Sequence, residues 1–181
     1  MFFQLRQLRA IRSSLTTDAA KTLAQAFVGG RLDYCNSLLY GVSEDLLRRL
    51  QSVQNAAARF ITGARKYDHI SPVLRDLHWL PLRQRIIFKI ATLMHQCLNG
   101  LAPPYLATDC IEISSMPRRR QLRSAASGQL YIPRTKTMTF GPRSFKVSGP
   151  TLWNDLPARL KDSSLSKNSF RKLLKTFLFD R

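Results

Sequence analysis

Residues 43–63 read SEDLLRRLQSVQNAAARFITG, and the fold class turns on them. Leu46, Leu50, Val53, Ala57 and Phe60 recur every three or four residues, the spacing that lays one apolar stripe along a helix. Arg48, Arg49, Gln51, Asn55 and Arg59 fall largely outside the stripe. Ser43 stands at a capping position, Glu44 and Asp45 sit where the helix dipole favours anions, and Gly63 ends the run. A basic amphipathic helix is therefore predicted here.

The same pattern extends in both directions. From Met1 to about Ser14, Phe2, Leu5, Leu8 or Ile11, and Leu15 form an apolar stripe, with Arg6, Arg9 and Arg12 on the wet side. Thr16, Thr17 and Asp18 offer N-cap oxygens to a helix carrying Ala20, Leu23, Ala24 and Phe27. Gly29–Gly30 leaves two readings open. It ends that helix, or weakens it by about 1 kcal/mol per glycine before Leu32, Cys35, Leu38 and Leu39 continue it. Beyond Gly63, Pro72 and Pro81 bracket a short helix containing Val73, Leu74 and Leu77. Pro81 then suits the first turn of a long helix, because its missing amide would be unpaired there in any case. Leu82, Ile86, Ile90, Leu93, Met94 and Cys97 carry that helix to an Asn99–Gly100 stop.

Pro103–Pro104 opens a linker, after which the helical period fades. Gly128 marks a turn, and Leu130–Pro133 and Ser144–Val147 read as short strands, giving a small hairpin or three-stranded ribbon. Pro150–Leu156 begins another short helix. Ser166 caps a last one with Phe170, Leu173, Leu174, Phe177 and Leu178 on its stripe, and Lys167, Arg171, Lys172 and Lys175 off it. The expected fold is mainly α: a helical bundle and further helices, with a small basic β-hairpin or ribbon before the C-terminal helices. It divides into segments 1–64, 65–110, 111–149 and 150–181.

Of 181 residues, 44% are hydrophobic, enough for one core or two small ones. Against 11 acidic residues stand 29 Lys+Arg, a net charge of +18. The sequence pI of about 10.9 points to a polyanionic partner. The excess peaks between 111 and 149, where eight basic residues face Glu112 alone. Arg6 and Arg9 interrupt any signal-like apolar run, and no stretch reaches the roughly 20 apolar residues of a membrane span. The chain reads as soluble and intracellular, without a membrane partner. Cys35, Cys97 and Cys110 form neither a CxxC pair nor an even set, and read as reduced core residues.

Catalytic chemistry is hard to place. Two-metal polymerases and nucleases need clustered carboxylates, and the adjacent acidic pair Glu44–Asp45 reads as capping. His69, His78 and His95 lie at no zinc spacing with each other or with the cysteines. No phosphate-cradling glycine loop occurs, so no cofactor or metal is expected. What remains is a set of basic clusters: Arg118, Arg119, Arg120 and Arg123, then Arg134, Lys136, Arg143 and Lys146, interleaved with Tyr131, Phe140 and Phe145. Such cations neutralise phosphates, and such aromatics stack on unpaired bases or form the core of a small sheet.

Several long stretches occur in a fixed order: RLDYCNSLLYG (31–41), LQSVQNAAARFITGARKYDHISPVLRDLHWLPLRQRIIFKI (50–90), LNGLAPPYL (98–106), PRTKTMTFGPRSF (133–145) and GPTLWNDLP (149–157). Together they resemble the region downstream of the catalytic palm in jockey-like LINE (non-LTR retrotransposon) reverse transcriptases. The resemblance implies a non-catalytic C-terminal fragment of an RNA-directed DNA polymerase. In that family the catalytic aspartates lie upstream of the part resembled here, so no catalytic residue transfers. Residues 1–64 would correspond to the thumb that grips a template–primer duplex. The role falls to exposed cations meeting the backbone: Arg6, Arg9, Arg12, Arg48, Arg49 and Arg59. The implied partners are RNA or DNA and the upstream palm. A protein-interaction module, or the product of a truncated retroelement copy, is the alternative.

Overall fold

The computed structural model describes residues 1–115 and 128–181. It is mainly helical, with no strand among the described residues, and it divides into two compact units, Met1–Arg85 and Ile86–Arg181.

The first unit opens with α1 (Phe2–Ala10), which buries Leu5 and Leu8, followed by a 3-10 turn at Arg12–Ser14. In α2 (Thr17–Ala24), the Thr16 hydroxyl accepts from the Ala19 amide at 3.2 Å, the cap expected from the sequence. The helix then widens into a π turn at Gln25–Gly29 and resumes as α3 (Gly30–Asp33). Gly29–Gly30 thus does not end it. The wider turn advances the phase, so Val28 is buried while Phe27, expected on the stripe, is exposed. The helix stops at Asp33, Tyr34 turns extended, and Cys35 then takes a left-handed φ of 49°. Cys35 is consequently exposed, not a core residue. Leu38, expected on the continuing stripe, is 71% exposed.

The deciding stretch forms α4 (Glu44–Thr62), ended by a left-handed Gly63. Leu47, Val53, Ala57, Ala58, Phe60 and Ile61 are buried, and Leu46 faces out, one residue away from the expected stripe. Ser43 occupies the cap position without capping through its side chain. Polar residues of α4 hold the next connection. Gln54, 1% exposed, donates to the Leu80 carbonyl at 2.9 Å, and Gln51 accepts from the Leu82 amide at 2.7 Å. Between them lies α5 (Ile70–Asp76), which buries Leu74. Its end is a Schellman turn, with His78 N–H bonded to Arg75 O and Trp79 N–H to Leu74 O. The left-handed position, usually glycine, is here His78 at φ 55°.

The long helix α6 (Leu82–Leu98) carries its first residues in the first unit and the rest in the second. It ends in the same Schellman arrangement, this time with Gly100 at φ 67°. A short α7 (Pro104–Ala107) follows. Later come α8 (Phe145–Asn154), a 3-10 turn at Ala158–Leu160 and α9 (Lys167–Phe179), whose Ser166 cap accepts from the Ser169 amide. His95 stacks on Phe170 with ring centroids 4.3 Å apart, and Trp153 lies 6.0 Å from Phe170. Gly149 leaves room for the Met94 side chain, whose sulfur a Cβ there would overlap.

Among the described residues the expected ribbon appears as one antiparallel bridge, Glu112 with Leu130. Ser144–Val147 is not a strand. Helix α8 begins at Phe145, five residues before Pro150, and encloses that proline. The Leu130 backbone is held by Asn154 of α8, which accepts from its amide at 2.8 Å and donates to its carbonyl at 2.9 Å. No edge is left there for a second strand.

Candidate nucleic-acid interface

At the C-terminal end of α4 the last carbonyls lack intrahelical partners and carry the negative end of the dipole. One arginine meets them, and a second braces the loop beyond. Arg12 donates through Nε to Phe60 O at 2.8 Å, through one terminal nitrogen to Ile61 O at 2.8 Å and through the other to Leu15 O at 3.0 Å. Its guanidinium also lies 5.9 Å from the Phe60 ring centroid. Arg12 was expected on the wet side with Arg6 and Arg9. It is half-buried, fastening the turn after α1 to the end of α4. Arg59 closes the loop that follows, donating to Arg65 O at 3.0 Å and Asp68 O at 3.2 Å.

These two guanidiniums, with Arg9 and Lys66, line a groove of about 570 Å³ floored by Ala56, Phe60, Gly63 and Ala64. Four cations and no carboxylate line it. The nearby Asp68 carboxylate accepts the Arg65 amide at 2.6 Å. Carbonyl oxygens carry no formal charge, so no carboxylate in the groove neutralises its four cations, and the bonds hold two of them in fixed positions. Lys66 lay outside the expected set. Its signal was the run Ala64-Arg65-Lys66 directly after a glycine stop, where the chain doubles back along the helix.

The other expected residues are dispersed. Arg6 and Arg49 are exposed. Arg48 pairs with Asp45 at 2.5 Å across one helical turn. In the second unit, Arg134 and Lys136 are exposed, Lys146 pairs with Asp109 at 3.3 Å, and Arg143 lies over the exposed Phe140 ring at 5.8 Å. Tyr131 and Phe145 are half-buried. Arg118, Arg119, Arg120 and Arg123 lie outside the described residues.

In the second unit His95 and Cys97 are buried and Cys110 is half-buried. Desolvation lowers the His95 pKa, against the opposing pull of the Leu165 carbonyl 3.1 Å from Nε2. Burial first, then the neighbouring Cys97, pushes the Cys110 thiol up to about 12, and burial also raises Cys97. Both thiols therefore stay protonated at neutral pH. Among the described residues no three His, Cys, Asp or Glu side chains gather to hold a metal ion, and no helix is long and apolar enough to cross a membrane. No protein-family model, curated protein or solved structure matches the chain.

Proposed function

We propose that the chain is the non-catalytic C-terminal part of a jockey-like non-LTR retrotransposon reverse transcriptase, and that its first unit grips the backbone of a template–primer duplex. The observation that carries the binding role is the groove at the end of α4, where Arg9, Arg12, Arg59 and Lys66 meet. Arg6 and Arg49 extend the charge, and Arg134 and Lys136 add a second basic contact from the other unit. The ordered stretches quoted above support the origin, and the excess of +18 supports a polyanion as partner.

Backbone binding has a salt signature, because each neutralised phosphate releases counterions. Filter binding of the full chain to an RNA–DNA duplex should therefore weaken steeply with salt. Arg9→Glu with Lys66→Glu should flatten the log–log slope by about two, close to one per lost phosphate contact. A slope near zero for the unsubstituted chain would overturn the binding role.

A second reading has its own observation. Phe2 and Phe3 of α1 are 56% and 70% exposed, which suits a surface covered by an upstream palm or another protein. Self-association in size-exclusion chromatography that Phe2→Ser with Phe3→Ser abolishes, without duplex binding, would favour this interaction module.

A further inference from the structure

The π turn between α2 and α3 borders a second cleft in the first unit, with no residue in common with the basic groove. It measures about 680 Å³ and is lined by Lys21, Thr22, Gln25, Ala26, Gly30, Leu77 and Trp79, a size ordinary for small-ligand sites. One wall is apolar and aromatic. The remaining lining carries the Lys21 ammonium, the Gln25 carboxamide, which lies over Gly29, and the Thr22 hydroxyl, which donates to Asp18 O at 3.0 Å.

Three features suggest a built site. Trp79 is fixed: the Arg85 guanidinium lies 5.7 Å from its ring centroid, and Arg85 is itself held by Asp33 at 2.7 Å and Leu80 O at 3.0 Å. The backbone that presents Trp79 passes through left-handed His78, a conformation costly for a non-glycine residue. Gly30 has ordinary helical angles, and a Cβ there would meet nothing closer than the Gln25 carbonyl at 3.7 Å. Neither its backbone nor its neighbours require glycine, and glycine weakens a helix relative to almost any other residue. The missing side chain keeps the cleft open.

We propose that this cleft receives one unpaired nucleotide, its base stacked on Trp79 and read by the Gln25 carboxamide, its phosphate drawn to Lys21. A carboxamide pairs with base edges in two-point fashion, and an indole supplies the stacking surface that single-strand binders use. The nucleotide is either free or the unpaired end of a strand. The geometry is independent of the duplex reading, on which only the strand-end source rests.

The test uses the full chain with three probes: AMP, a blunt RNA–DNA duplex, and the same duplex with an unpaired adenine overhang. The overhang should bind about tenfold more tightly than the blunt duplex, within the range of one stacked base. AMP should shift the amide resonances of Lys21–Gly30. Trp79→Ala and Gly30→Leu should each abolish both effects while leaving blunt-duplex binding intact. Leucine is a better helix former than glycine, so Gly30→Leu should not lower the melting temperature, and its loss of binding cannot be put down to unfolding. AMP shifts together with overhang preference point to either source, whereas overhang preference alone assigns the strand end. The proposal is overturned if neither effect occurs, or if Gly30→Leu leaves them unchanged. Failure of the blunt duplex to bind would sink the duplex reading alone, with the AMP titration still deciding the cleft.

Discussion

Arg12 and Arg9 lie three residues apart on the same groove and do different work. Arg12 spends its donors on three carbonyls, two of them at the end of α4, where a charged donor offsets the unpaired oxygens and the dipole together. Arg9 is exposed. Arg12→Ala should cost about 2 kcal/mol, the scale of hydrogen bonds to a charged group, and Arg12→Lys should recover little, since an ammonium cannot span the same fork. Arg9→Ala should leave stability unchanged within about 0.5 kcal/mol and weaken duplex binding. Urea unfolding and duplex titration of the three variants check this. Equal destabilisation by Arg9→Ala and Arg12→Ala would contradict the division of roles.

The element that departs furthest from expectation is the strip before α8, and Asn154 explains why. Its side chain satisfies both backbone groups of Leu130, which is 1% exposed. Asn154→Ala would leave two buried groups unpaired and should cost roughly 3 kcal/mol, at about 1–3 kcal/mol for each. Asn154→Asp keeps an acceptor for the amide but sets a carboxylate oxygen against the Leu130 carbonyl, so it should protect the amide without recovering the stability. Hydrogen exchange at the Leu130 amide reports the difference, and undiminished protection in Asn154→Ala would refute the account. Such a contact, 24 residues distant in sequence, leaves no trace in local periodicity, so Leu130–Pro133 and Ser144–Val147 read as strands. Helices whose stripes are decided within one or two turns were legible: α4, α6 and α9 lie where spacing, the Ser166 cap and the Gly63 and Gly100 stops put them. The π turn was not, because one extra residue in a turn leaves the composition unchanged while exchanging Phe27 for Val28. At the basic groove, Arg9, Arg12 and Arg59 were legible as cations. Their convergence on one helix end depends on hydrogen bonds spanning 48 and 49 residues, which no spacing rule encodes.

For the molecule as two units, titration should separate what heat blurs. His95, 2% exposed in the second unit, places Nε2 against Leu165 O, and its Nδ1 has no partner. The lowered pKa means that the fold holds the ring neutral. Below the ordinary value of 6.5 the unfolded chain takes up a proton that the folded unit refuses. The unfolded state then binds more protons, and stability falls as pH drops below 6.5 toward the folded pKa. On the alkaline side the sign reverses. Cys110 keeps its proton to about 12 when folded and loses it near 9.0 when unfolded, so stability declines as pH rises above 9, Cys97 adding to the effect. Lys161, lowered by burial, opposes this in part. The second unit should therefore be most stable between about pH 6.5 and 9. The two tryptophans, Trp79 and Trp153, fall one in each unit, so Trp79→Phe leaves Trp153 as sole reporter of the second. Its denaturation midpoint should fall between pH 7 and pH 5, and His95→Gln should remove most of that slope, since an amide does not titrate. A midpoint unchanged across that interval, or one whose acid slope persists in His95→Gln, would show that His95 is not the group that sets the acid limit.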